Sequence, residues 1–286
     1  MGVRNVEELQ RLKPRFRLPP AACDAHCHVF GPQAKFPFAP NRRYTPEDAP
    51  KEMLFALHRA LGIERSVIVQ ASCHGTDNAA LLDAIAMDPS RLRGVAVVDD
   101  SFSDADFRRL HEGGVRGVRF NFVRHLGGAP DAAIFRRVID RIKGLGWHVV
   151  LHLDAPDIVP LGEMMRRLTL PFVIDHMGRV DSALGVEQPA FQALLHLARI
   201  ETCWIKVSGA ERISKAPYHA ALPFARALLN VSPERVLWGT DFPHPNLNHE
   251  PNEAALVDLI PSFASGESAQ RRVLVDNPAR LYGFDE

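Results

Sequence analysis

The feature that most constrains this chain is an alternation repeated along its length: a short β-branched apolar run, a polar loop, then a segment with helical spacing. Eight such runs occur, ACDAHCHVF (22–30), SVIVQAS (66–72), GVAVVD (94–99), GVRGVRFNF (114–122), WHVVLHL (147–153), PFVIDHM (171–177), TCWIKVSG (202–209) and RVLWGTDF (235–242). Near-continuous stretches such as SVIVQ and WHVVL suit strands buried on both faces, as in parallel sheets. Helical spacing recurs over 51–61, 77–87, 104–112, 131–145, 189–199, 219–230, 252–264 and 268–275. Strand and helix alternating in this way predict an α/β fold, a (β/α)8 TIM barrel in one domain over 21–286, with an N-terminal arm over 1–20. Between the first strand and the first helix, GPQAKFPFAPNRRYTPEDAP holds five prolines and no period. It reads as a long ordered loop at the barrel mouth.

Composition excludes several classes of partner. With 286 residues and 46% hydrophobic content the chain can bury a large core. Lys+Arg and Asp+Glu both number 34 and no basic run stands out, which argues against nucleic acid. The first twenty residues lack an apolar signal core, and no stretch reaches the ~20 apolar residues of a membrane span, so a cytoplasmic protein is expected. The four cysteines, Cys23, Cys27, Cys73 and Cys203, form no CxxC pair and read as reduced, mostly buried thiols. A small molecule is the expected partner, and the chain itself is expected to be a monomer or small homo-oligomer.

In such barrels chemistry sits at the C-terminal ends of the strands. Strand one ends with His26 and His28, which share a face by the period-two alternation, and Asp24 is expected on that face, one pleat lower, as a hydrogen-bonding support. Strand four ends with Arg119 and Asn121, strand five with His152, strand six with Asp175 and His176, and strand eight with Thr240 and Asp241. A lone strand-end histidine is often structural, and an aspartate after a strand is often a helix cap. Four histidines and an aspartate at the same end of different strands would converge on the axis, where unpaired polar groups are expensive to bury. Their convergence predicts a shared catalytic constellation.

The pattern HxH on strand one, His on five and six, and Asp on eight resembles the amidohydrolase superfamily. Barrels of that kind typically use such residues to hold one or two divalent metals that activate water. The blocks DAHCHVFGP, RRYTPEDA, VIVQASCHGTDNAALLDAI, GVRGVRFNF, GWHVV, VIDHMGR, WGTDFPHPN and NPARLY together look like the 2-pyrone-4,6-dicarboxylate lactonases of the amidohydrolase 2 group, from about residue 20 onward. That resemblance implies a hydrolase that opens a carboxylate-bearing lactone, 2-pyrone-4,6-dicarboxylate or a related muconolactone, in aromatic-acid catabolism. It implies Asp241 as base toward water, with His26, His28 and His176 orienting or polarising the lactone carbonyl. For the substrate's carboxylates it implies Arg119, Arg212, Tyr44 and Ser72, since arginine binds a carboxylate through a planar fork. Arg124 and His125 stand where the lactonases carry a Lys-Arg pair, and His244 and Asn246 extend the strand-eight loop over the same pocket.

The resemblance leaves the cofactor open between none and a single divalent cation, Zn or Mn. The metal set would be His26, His28, His152, His176 and Asp241. His152 replaces a tyrosine of the lactonases and makes metal more plausible here than in them. Two alternatives share the scaffold: a metal-dependent decarboxylase of an aromatic or unsaturated acid, and a catalytically silent barrel that senses acids.

Overall fold

Residues 5–285 are described by a computed structural model of the chain; residues 1–4 and 286 lie outside the described region, as do those ends of the expected arm and barrel. Eight parallel strands follow one another in chain order around a single sheet. They are β1 (Cys23–Cys27), β2 (Arg65–Val69), β3 (Leu92–Ala96), β4 (Val115–Asn121), β5 (His148–His152), β6 (Phe172–Ile174), β7 (Cys203–Lys206) and β8 (Val236–Leu237). Six of them fall inside an apolar run recognised in the sequence, while β2 begins one residue and β3 two residues ahead of theirs. The sheet closes because the segment beyond β8 bonds back to β1: Ala25 N donates to Trp238 O at 2.9 Å and Asp241 N donates to His26 O at 2.8 Å. Gly239 permits this approach, since a Cβ there would stand 2.5 Å from His26 N. The result is a (β/α)8 TIM barrel in a single domain.

Helices Lys51–Leu61 and Asp104–Glu112 match the expected ranges, and Ala79–Ile85, Ala132–Lys143, Pro189–Ala198 and Leu222–Val231 lie within a few residues of theirs. The helix Ala155–Arg166 between β5 and β6 was not foreseen, because Pro156 and Pro160 interrupt its pattern. Pro156 sits in the first turn, where no intrahelical donor is needed, and only Pro160 removes a helix hydrogen bond. In the C-terminal region the expected 252–264 helix is split into Glu253–Asp258 and Ile260–Phe263, while the last one runs from Glu267–Arg271 through a π-helical stretch, Arg272–Asp276, into Asn277–Tyr282, longer than expected. Of the N-terminal arm, residues 5–20 include a short helix Val6–Gln10 whose Leu9 is fully buried in the core.

Two layers of apolar packing result. One joins the sheet to the surrounding helices. The other fills the barrel with Cys23, Ala25, Val67, Val69, Val95, Val150, Val173, Trp204 and Leu237, and is capped by Tyr282 and Phe284. Phe284 lies under the guanidinium groups of Arg65 and Arg93, at the start of β2 and β3, so the cap closes the N-terminal end. The side chains that fill this end are apolar apart from His148, which packs on Tyr282, and the polar strand ends gather at the other. All four cysteines are buried and unbridged. Among the described residues no helix is long and apolar enough to cross a membrane.

Candidate active site

The register of β1 shifts between Asp24 and Cys27. Strict alternation therefore fails there: Cys23 and Ala25 face the barrel interior, while Asp24 turns to His58 on the helix outside, 3.1 Å from Oδ2. Asp24 and His26 do not share a face, contrary to the period-two reading. Asp24 also accepts from His26 N at 3.1 Å, Thr240 N at 3.0 Å and Thr240 Oγ1 at 2.5 Å, which ties β1 to the β8 loop. Its expected role as a support agrees with these bonds.

Above that tie, three imidazoles surround one carboxylate oxygen. Asp241 Oδ1 lies 3.6 Å from His26 Nε2, 3.5 Å from His28 Nε2 and 3.7 Å from His176 Nε2. These spacings exceed the usual 2.7–3.2 Å of a hydrogen bond. The oxygen is enclosed without being gripped. Its partner Oδ2 is held by Arg212 Nε, and Arg212 spends both terminal nitrogens on Pro245 O at 3.1 Å. Burial alone would raise the Asp241 pKa, but Arg212, His176, His28 and His26 outweigh it and hold the carboxyl well below the usual range. Burial drives His176 well below its ordinary value, and takes His26 down to about 3 with the help of the Lys206 charge. The backbone here is strained as well: His176, Met177, Arg179, Asp241, His244 and Asn246 all carry φ between 51 and 63° without being glycine.

Beneath Asp241 lies a second buried network that sequence reading missed. Asp175 Oδ1 is 3.2 Å from both His26 Nδ1 and Lys206 Nζ, and Oδ2 accepts from Arg119 Nε at 3.2 Å and Nη2 at 3.1 Å. Burial opposes the Asp175 charge, and Lys206, His26 and Arg119 together overcome it, holding its pKa well below the usual range. Asp175 stands in the VIDHMGR block and Lys206 in KVSG, yet nothing in either stretch signals that the two side chains meet.

A cavity of about 100 Å³ opens over Asp241, lined by His28, Tyr44, Ser72, Arg119, His125, His152, His176, Arg179 and Arg212 among others. Most of the expected site residues thus meet in one place, and Arg179, which was not foreseen, joins them. It bonds to Asp154 Oδ1 at 2.9 Å; burial and the nearby Arg212 charge lower its pKa. Three residues depart from expectation. Arg124 is exposed, pairs with Asp157 at 3.6 Å and does not line the cavity. His244 does not line the cavity but sits between Glu211 at 3.3 Å and Glu253 at 3.3 Å, and these carboxylates raise its pKa to about 9 against the opposing effect of burial. It lines a neighbouring outer cavity of about 390 Å³. His152 stands beside His176, ring centroids 5.8 Å apart, outside the cluster of ligand atoms around Asp241, and neither of its nitrogens has a hydrogen-bond partner.

Several side chains around Asp241 are of the types that ligate a divalent ion. Atoms of His26, His176 and Asp241 lie within 4.8 Å of one another, which is compatible with shared ligation. His28 Nδ1 donates to Val69 O at 2.7 Å, so its Nε2 carries a lone pair as a ligand must. His176 Nδ1 meets Ser208 Oγ at 3.0 Å, a hydroxyl that accepts either tautomer. His26 is different: its Nδ1 is 2.9 Å from Lys206 Nζ, which can only donate when charged. Opposite the charged lysine Nδ1 acts as acceptor, which puts the proton on Nε2, facing Asp241; the competing acceptor for an Nδ1 proton is Asp175 Oδ1 at 3.2 Å. With its proton on Nε2, His26 does not fit a resident ion.

Residues 23–284 match the family model described as amidohydrolase. The chain is 47% identical to 2-pyrone-4,6-dicarboxylate hydrolase of Comamonas testosteroni, over 96% of this chain and 94% of that one. It is 42% identical to 4-sulfomuconolactone hydrolase of Hydrogenophaga intermedia, over 94% and 91%. Among solved structures, a probable 2-pyrone-4,6-dicarboxylic acid hydrolase from Acinetobacter baumannii with citric acid bound superposes with a TM-score of 0.81 at 29% identity, covering 92% of this chain and 100% of that one.

Proposed function

The chain belongs to the amidohydrolase family, and from that premise we propose that it is a lactonase, opening a lactone that carries carboxylate groups in the breakdown of aromatic acids. The observation that carries the reading is the enclosed oxygen of Asp241 at the floor of a cavity ringed by Arg119, Arg179 and Arg212. The relatives named for 2-pyrone-4,6-dicarboxylate and for 4-sulfomuconolactone make these two the substrates of choice. The decarboxylase alternative draws no support from them.

In this reading Asp241 Oδ1 and the His28 Nε2 lone pair accept the protons of a water lying between them, and Asp241 takes one as the oxygen adds to the lactone carbonyl. His26 Nε2–H faces the same point as a donor. The oxyanion of the addition product is met by His176, and its collapse breaks the ring C–O bond. An enolate leaves, and it recovers the proton held by Asp241. A positioned base supplies roughly 10²–10⁴-fold, so placement of the substrate and polarisation of the carbonyl carry the rest. Arg119 and Arg179 serve the substrate's carboxylates with Tyr44 and Ser72, while Arg212 chiefly orients Asp241. His152 and His125 face the ring substituents, and these are the positions that would separate one lactone from another. No step is assigned to a metal ion.

The test is ring opening of both lactones by purified protein before and after treatment with a chelator. The expected kcat/KM is about 10⁴ M⁻¹s⁻¹ or more on at least one of them. No turnover above background on either would reject the reading.

A further inference from the structure

Lys206 ends β7 inside the barrel and has no exposed side-chain surface. It does not line the cavity, so it cannot touch a substrate there. Its three protons have two partners in reach, Asp175 Oδ1 at 3.2 Å and His26 Nδ1 at 2.9 Å. Asp175 takes Arg119 on its other oxygen and so stays ionised beside the lysine. A protonated His26 Nδ1 would set donor against donor across 2.9 Å and would have to share Asp175 Oδ1, at 3.2 Å, with the lysine already on it. The same ring meets Asp241 with its far nitrogen at 3.6 Å.

We propose that Lys206 is a positioning residue that selects the His26 tautomer, holding the proton on Nε2 and so making His26 a donor toward Asp241 and its water while withholding it as a metal ligand. The catalytic half of this rests on the lactonase reading; the tautomer and metal halves do not. A consequence follows for a chain lacking the lysine. Freed from Lys206, His26 Nδ1 has Asp175 Oδ1 at 3.2 Å as an acceptor, and the proton moves there. His26 Nε2 then offers a lone pair beside that of His28, with Asp241 Oδ1 3.6 Å from the one and 3.5 Å from the other. A second-sphere partner of this kind typically changes metal affinity 10- to 100-fold. Replacing one buried lysine thus turns the cluster into a metal site.

Two measurements test the proposal, and neither needs substrate. In protein labelled with ¹⁵N-histidine, the His26 signals, identified by their loss in His26→Gln, are expected to show Nε2 bearing the proton and Nδ1 bare. A proton on Nδ1 in the wild-type protein overturns the proposal, whatever the variants do. The second is zinc titration of the wild type, Lys206→Met and Lys206→Gln, with circular dichroism to check folding. Lys206→Met is expected to bind zinc roughly 10- to 100-fold more tightly than the wild type. Lys206→Gln, whose amide still donates to Nδ1, is expected to stay at the wild-type level. Equal tightening in both variants would mean that the lost charge, not the tautomer, governs the site, and would overturn the proposal. So would no tightening in Lys206→Met. Absence of lactone turnover would reject the lactonase reading and leave these results standing.

Discussion

Asp175 and Asp241 are both buried, both held ionised against the cost of burial, and both paired with an arginine, yet they occupy opposite positions in the site's chemistry. Asp175 is closed in on both oxygens by Lys206, His26 and Arg119. Asp241 gives one oxygen to Arg212 and keeps the other at 3.5–3.7 Å from three imidazoles, at the edge of a cavity. The difference teaches that charge alone does not make a base. Oδ1 of each carboxylate lacks a well-formed hydrogen bond, and what counts is that only Asp241 lines the cavity, where a water can reach it. Asp175, lying one layer deeper, organises the residues that organise Asp241.

The sharpest break in this comparison is substitution of each carboxylate by its amide. Asp241→Asn is expected to lower kcat about 10³-fold with KM within a few-fold and the fold intact, read by steady-state kinetics on the lactone. Retained turnover would remove Asp241 as the base. Asp175→Asn leaves Arg119 and Lys206 buried without their countercharge. It is expected to cost roughly 3–5 kcal/mol of stability in denaturant unfolding, far more than Asp241→Asn. Equal losses in the two variants would erase the distinction.

A smaller effect separates the arginine from the base it holds. Without Arg212 the Asp241 pKa rises, so the carboxylate is protonated at a higher pH. Arg212→Gln should therefore move the acid limb of the kcat/KM profile to higher pH, and an unmoved limb would show that Arg212 does not set the charge of Asp241.

The smallest expected effect lies below both carboxylates. His148 on β5 packs against Gly117 and Tyr282, and burial, aided by the Lys206 charge, lowers its pKa from 6.5 to about 3. The unfolded chain therefore takes up a proton below pH 6.5 that the folded chain refuses until about pH 3, so this residue costs stability as pH falls through that window. His148→Leu should make the decline of unfolding free energy between pH 6 and 4 shallower, by up to about 1.4 kcal/mol per pH unit. An identical slope would place its titration elsewhere.

The barrel was legible because each strand declares itself by a β-branched run and each strand end by a polar residue. His26, His28, His176, Asp241 and Arg119 were legible for the same reason, and Tyr44 and Ser72 only through the resemblance to the lactonase blocks. Helix Ala155–Arg166 was hidden by prolines that local rules read as breakers, although one of them costs nothing at its position. Arg124 and His125 are neighbours in a loop, where no period tells which of two adjacent side chains turns inward. His244 looked like a pocket residue because the glutamates that claim it, Glu211 and Glu253, come from other segments.

By itself, then, the sequence determined the order of the strands and the polar residues that end them, since local periodicity suffices for that. The tertiary structure alone decided what each of them can do. The shift in β1 turned Asp24 outward, burial set Lys206 Nζ against His26 Nδ1, and groups from separate strands closed around Asp175 while leaving Asp241 Oδ1 beside the cavity. Protonation state and hydrogen-bond capacity depend on groups brought together from far along the chain, and no spacing between neighbours encodes them.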